Sequence, residues 1–194
     1  MLFRATMVVS LLLVVSCDLF TTRTPELPEG TGNAGWQFPE SPEIVLSNLR
    51  SAMARRSSAD YTRLFVPANH ALPAYDFQPD PGSAAANPGI FEEWNITREQ
   101  KHSQSLFAPT NLPLDSLVLL ELILDRRSLI GDTASLSCGY TLYIGHKIDG
   151  RPREFEGRAE FRLLRIDGGG WYIFIWSDTR ASGEACWSDL KVLF

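Results

Sequence analysis

The residues of this chain that could do chemistry are few and scattered. They are three histidines (His70, His102 and His146), the cysteines Cys138 and Cys186, and an aromatic set, Tyr61, Phe65, Phe91, Trp94, Tyr140, Phe161 and Trp176, suited to line a pocket or to fill a core. General acid or base catalysis needs an imidazole or carboxylate beside its target in a dry setting. His146 is followed by Lys147 and Asp149, the marks of a wet turn, and reads as a solvated hairpin residue. His70, in the loop after Pro67, and His102, on a polar helical stretch, read the same way. Three histidines without short ligand spacing do not make a metal site. Asp76 and Asp80 near Gly82 lack the remaining ligands of a calcium loop and read as part of a turn braced by Pro79 and Pro81. Cys138 and Cys186 have no CxxC partner, which removes a thioredoxin-like or zinc role; a disulfide between them and two buried thiols both fit. No nucleophile elbow, P-loop or dinucleotide glycine motif is present, and nothing calls for a cofactor.

The elements that must position these residues fall into two halves. Ser41, Pro42 and Glu43 signpost a first helix, with Ile44, Val45, Leu49, Ala52 and Met53 on one face and Arg50, Arg55 and Arg56 elsewhere. A short helix follows from about Ser58 with Tyr61, Leu64 and Phe65 inward, then a loop-rich stretch holding a short strand at residues 74–77. A third helix runs from about Thr97 to Phe107, stopped by Pro109. The latter half holds four long strands: 116–126, 134–146, 153–165 and 171–178. In the second, Leu136, Cys138, Tyr140, Leu142 and Ile144 share one face; in the third, Phe155, Ala159, Phe161 and Leu163 oppose Glu154, Glu156, Arg158, Glu160 and Arg162. Turns at Asp149-Gly150 and Gly168-Gly169-Gly170 make hairpins, so the sheet is antiparallel, with one dry face for the helices to cover. Val118, Leu120, Leu122 and Leu124 form the dry face of the first long strand, leaving Leu117, Leu119 and Ile123 outward with Glu121 and Asp125. The dry interior is therefore expected to hold almost no acid or base. The tail from Cys186 to Phe194 reads as a turn or strand whose Trp187 and Phe194 plug the core.

A hydrophobic share of 44% with 21% charged residues suits a globular body with a sizeable core. The net charge of −5 forms no basic stripe, so no nucleic-acid partner is expected. At the N-terminus, Arg4 precedes an apolar run over residues 5–15, which is too short to cross a bilayer and reads as an export signal. It closes on Val14-Val15-Ser16-Cys17, which resembles the lipobox of bacterial lipoproteins. That resemblance implies a signal peptide over residues 1–16, a lipidated Cys17 carrying diacylglyceryl and palmitate-type chains, and a place in the cell envelope, anchored to one of its membranes. Residues 17–40, rich in Thr, Pro, Glu and Gly, read as a flexible tether, and residues 41–194 as one domain.

Helices first, one early short strand, another helix, then four long antiparallel strands is the order of the NTF2-like, or SnoaL-like, superfamily with its cystatin-like α+β cone. The stretch Gly170-Trp171-Tyr172-Ile173-Phe174-Ile175-Trp176, a glycine turn feeding the last strand, resembles it most. The resemblance implies an α+β fold with N-terminal helices packed on a strongly curved antiparallel sheet of four long strands plus short strands. It also implies a pocket at the open end of the cone, where relatives of the isomerase, dehydratase and hydrolase type place an acid or base. With the dry face read as free of such groups, the expected function is a non-enzymatic, lipid-anchored binding or assembly module. Its partner would be a small apolar ligand, an envelope protein, or a second copy forming a homodimer through the sheet face. The alternative is a small-molecule isomerase, dehydratase or hydrolase working in the cone with Tyr140 and a loop group such as Asp76 or His70.

Overall fold

The computed structural model describes residues 35–69, 73–166, 169–181 and 183–194. The residues read as a signal peptide, Cys17, most of the expected tether and His70 lie outside the described residues. Helix α1 (Pro42–Arg55) starts on Pro42 as its spacing predicts, although Ser41 makes no capping bond through its side chain. Val45, Leu46, Leu49, Ala52 and Met53 form its buried stripe, and Ile44 is only half-buried. The chain leaves α1 through Arg56 in the left-handed region (φ 54°), which aims its guanidinium at the Pro113 and Leu114 carbonyls, 2.7 and 2.5 Å away. Helix α2 (Ser58–Thr62) is capped by Ser57. Strand β1 (Asp76–Gln78) follows, three residues long.

At Pro79-Asp80-Pro81-Gly82 the chain makes a helix rather than a plain turn. Asp80 caps α3 (Pro81–Ala86), accepting from the Ser83 N–H at 3.0 Å, with Pro81 at the first helical position where no N–H is needed. Helix α4 (Ile96–Leu106) is capped by Asn95 instead of Thr97, the Asn95 side chain accepting from the N–H groups of Thr97 and Arg98. The four long strands are β2 (Val118–Ile130), β3 (Thr133–Ile144), β4 (Glu154–Arg165) and β5 (Trp171–Arg180). The chain ends in helix α5 (Trp187–Leu193), where a turn or strand was expected.

The sheet order is β1-β5-β4-β3-β2, antiparallel throughout except for the parallel β1–β5 pair. On β3 and β4 the alternation read from the sequence is the alternation observed: Leu136, Cys138, Tyr140, Leu142 and Ile144 and Phe155, Ala159, Phe161 and Leu163 are all buried. On β2 it holds for Val118 and Leu120, whereas Leu122 is half-buried and Leu124 exposed, because the strand runs beyond its cover. A bulge between Leu124 and Arg126 lengthens β2 by a residue and shifts its faces beyond that point. The helices lie on the dry face as expected. Within that core, α5 lies under the sheet with Trp187 and Leu190 buried, and the rings of Trp187 and Trp176 meet at 4.6 Å and 67°. Burying side chains of that size stabilises the fold by about 1.5–3 kcal/mol each. Residues 36–39, expected at the end of the tether, bond to the body: Gln37 and Asn48 exchange two hydrogen bonds, and the Trp171 N–H donates to the Pro39 carbonyl at 2.8 Å.

Candidate functional site

The interior is not free of acids and bases, contrary to the expectation from strand alternation. Glu99 and Lys191 come from helices, whose inward positions the strand pattern does not reveal, and Asp178 comes from β5. Glu99 on α4 and Lys191 on α5 are both fully buried and paired, Nζ to Oε1. Glu99 also accepts from Tyr61 Oη at 2.6 Å on Oε1, and from Tyr75 Oη at 2.9 Å and Trp94 Nε1 at 2.6 Å on Oε2. Each carboxylate oxygen therefore takes two donors. Burial alone would raise the Glu99 carboxyl; the Lys191 ammonium and the donated hydrogen bonds override it and hold the group below the usual carboxylate range. Burial, reinforced by Glu99, drives the Tyr61 and Tyr75 hydroxyls well up, so both remain neutral donors.

The Lys191 ammonium stands over three rings, 4.4 Å from the centroid of Phe77, 5.0 Å from Trp176 and 5.1 Å from Trp94. A cation cut off from water gains from such an aromatic box. His102 belongs to the same cluster and is buried, not solvated; burial and the Lys191 charge push its imidazole down to about 3, so it is neutral. The Phe194 backbone stands near the ring, but neither ring nitrogen meets a partner in hydrogen-bond geometry among the described residues. His146 is likewise buried rather than solvated. It closes its hairpin from within, one ring nitrogen 2.7 Å from the Pro152 carbonyl and the other accepting from the Ile148 N–H.

A second polar chain begins at Tyr140. Its hydroxyl donates to Asp178 Oδ1 at 2.7 Å and accepts from the Trp187 N–H at 2.7 Å. Asp178 Oδ2 accepts from both the N–H (2.7 Å) and the hydroxyl (2.6 Å) of Ser188, and Ser188 Oγ accepts from the Asp80 N–H at 2.9 Å. Burial raises the Asp178 carboxyl and, with Asp178 beside it, the Tyr140 hydroxyl. Gly157 makes room for this arrangement: a Cβ there would lie 2.5 Å from the Thr179 carbonyl and 2.6 Å from the Tyr140 hydroxyl. From Asp80 the chain runs outward through Arg180, which bridges Asp80 and Asp189, while Ser83 Oγ donates to Asp189 at 2.6 Å. The result ties α3, β5 and α5 together.

Members of the sequence-derived pocket set pack on one another, and Phe65 also lines a groove at the surface. Tyr61 and Trp94 hold Glu99, Phe65 and Phe161 pack on Trp176, and Phe91 packs on Phe77 and Trp94. Cys138 and Cys186 are free buried thiols, pushed by burial up to about 11 and about 12; Cys186 is engaged at the start of α5, its sulfur 3.4 Å from Ser83 Oγ. Asp76 is exposed and Asp80 is a helix cap, and no cluster of metal-ligating side chains occurs among the described residues. A surface groove of about 680 Å³ lies among α2, α4 and residues 36–39, with Trp36, Phe38, Phe65 and Tyr172 as its rings and Arg63 stacked 4.1 Å above Trp36. The sequence reading missed Glu99, Lys191 and Asp178. For the first two the signal was present: Trp187, Leu190 and Lys191 fall at helical spacing, as do Glu99, His102, Ser103 and Leu106.

No protein-family model matches this chain, and no curated protein matches it in sequence. Solved structures do. A nuclear transport factor 2 (NTF2-like) superfamily protein from Salmonella enterica serovar Typhimurium aligns with a TM-score of 0.51 at 14% identity, over 72% of this chain and 89% of that one. An NTF-2-like protein of unknown function from Shewanella oneidensis gives 0.50 at 12%, over 70% and 93%. A conserved protein from Planctomyces limnophilus gives 0.50 at 12%, over 72% and 92%. Likeness at such identity defines the fold: helices on a five-stranded, mostly antiparallel sheet, of the NTF2-like kind. The function rests on this chain's own residues.

Proposed function

We propose that this chain is a lipid-anchored binding or assembly module of the cell envelope, held through Cys17 and presenting an NTF2-like body to its partner. One observation carries the reading of the body: α5 is packed under the sheet, and the buried carboxylates Glu99 and Asp178 are both engaged with it. Tyr140 and Asp178, the pair a pocket enzyme would turn toward substrate, are taken up by the Trp187 N–H and by Ser188. Glu99 is saturated by four donors. That leaves the surface for recognition, and there the outer side of the sheet exposes Leu117, Leu119 and Ile123.

The anchor is supported by the short apolar run ending on Val14-Val15-Ser16-Cys17 and by a proline- and threonine-rich stretch after it. Its test is metabolic labelling of the full chain in a bacterial host with an alkyne analogue of palmitate. Label on the wild type and none on C17S is the expected result; a wild-type chain that takes up no label overturns the anchor.

A further inference from the structure

Strand β2 closes one side of the sheet. It pairs with β3, and among the described residues no strand pairs with its other side. It is thirteen residues long, and alternate residues along it turn backbone N–H and C=O groups outward. Natural proteins blunt such edges with short strands, prolines, bulges or charged side chains, above all lysine, because an open edge recruits another strand. Of the four charges on β2, Asp125 is taken up by Arg158 and Arg127 by Glu43. Residues 118–130 contain no proline and no lysine. The bulge at Asp125 does not end the ladder, which resumes at Arg126 and continues to Ile130. The strand also outruns the helices that cover its beginning: Val118 and Leu120 are buried, whereas Ile123, Leu124, Leu129 and Ile130 are 68%, 41%, 49% and 76% exposed.

The charges on this edge identify its occupant. On the outer face the order along the strand is Glu121, Ile123, Arg126, an acid and a base flanking an apolar residue, and neither Glu121 nor Arg126 has an ion-pair partner among the described residues. A strand that reads acid, apolar, base is complementary to itself when reversed. We propose that β2 is the contact through which a second copy of this chain pairs, antiparallel and edge to edge about a two-fold axis at Ile123, with Glu121 of each copy against Arg126 of the other across the bulge at Asp125. The two sheets would join into one. This deepens the assembly reading and rests on it, naming the partner and the contact.

The test uses the full chain, purified in detergent. Analytical ultracentrifugation is expected to show a concentration-dependent dimer. Ile123→Cys is expected to cross-link with itself on mild oxidation, whereas Glu154→Cys, on the outer face of β4 and remote from the edge, is not. Arg126→Glu sets like charges opposite each other and is expected to weaken the dimer at least about tenfold. The exchange Glu121→Arg with Arg126→Glu restores the pairing, which separates a lost contact from a lost fold. A chain that stays monomeric, a dimer that Arg126→Glu leaves unchanged, or one that Glu154→Cys cross-links as readily, overturns the proposal. Palmitate labelling reads the anchor separately, so failure of the dimer and failure of the anchor are distinguishable.

Discussion

Lys191 and Glu99, 92 residues apart, form an ion pair in which both side chains are fully buried, and it joins the last helix to α4, the helix that precedes the four long strands. Removing one partner of such a pair leaves a charge without compensation and costs about 3–5 kcal/mol. Lys191→Met is therefore expected to lower unfolding stability by that order in urea titrations, and Glu99→Gln added to it to recover part of the loss, because no lone carboxylate then remains. A double variant no better than Lys191→Met alone would argue against a coupled pair.

The Tyr140 hydroxyl serves two groups at once, donating to Asp178 and accepting from the Trp187 N–H. Tyr140→Phe orphans both, and an unsatisfied buried polar group costs about 1–3 kcal/mol. The expected outcome is a loss at the upper end of that range, with near-ultraviolet circular dichroism showing a disturbed Trp187 environment. An unchanged unfolding midpoint would mean that the Trp187 N–H has another acceptor.

Gly157 faces the Thr179 carbonyl and the Tyr140 hydroxyl at distances no Cβ tolerates. Gly157→Ala is expected to destabilise by about 1–3 kcal/mol through forced movement of packed groups. Gly139, on the neighbouring strand β3 and with nothing nearer than 4.0 Å to its Cβ position, is the control for a strand glycine without crowding. Equal costs at the two sites would remove the close-approach explanation.

Acid should unfold this protein through a defined set of carboxyls and one buried imidazole. Asp80 and Asp189 have folded values below the ordinary one: burial opposes ionisation in each, but hydrogen bonds from Ser83 and Arg180, with Cys186 at Asp189, outweigh it. A carboxyl depressed in the fold contributes stability that is present above its unfolded value and is lost as pH falls through the folded one. Glu99 has the same sign, and Asp178, raised by burial, the opposite. His102 is held neutral in the fold while the unfolded chain protonates it near 6.5, so urea midpoints are expected to decline already from about pH 6.5. The depressed carboxyls are expected to add a steeper fall below about pH 4. The fall should be smaller in Asp80→Asn with Asp189→Asn. A midpoint that rises continuously on acidification would contradict the sign.

The sheet was legible because strand faces repeat every second residue, so Phe155, Ala159 and Phe161 declare themselves against Glu154, Glu156 and Glu160. The polar interior was legible only in part. Glu99 and Lys191 fall at helical spacing with their buried neighbours, but a polar stripe such as Glu99, His102 and Ser103 on α4 reads as a solvated face, and Lys191 lies in a tail that reads as a turn or strand. Asp178 was hidden differently. The bulge between Arg162 and Leu163 offsets β5 against β4, and the carboxylate comes to lie opposite the buried Ala159.

The proposed reading of the body requires α5 to be a fixed plug under the sheet and not a lid over a pocket. Native-state hydrogen exchange at the Trp187 and Ser188 amides tests it directly, because these N–H groups donate to Tyr140 and Asp178. If α5 is a plug, both amides exchange only through global unfolding, with the same free energy and denaturant dependence as the core amides of β3. Exchange of Trp187 and Ser188 through a low-energy opening that leaves β3 protected would make α5 a lid, and would return the function to the pocket beneath it.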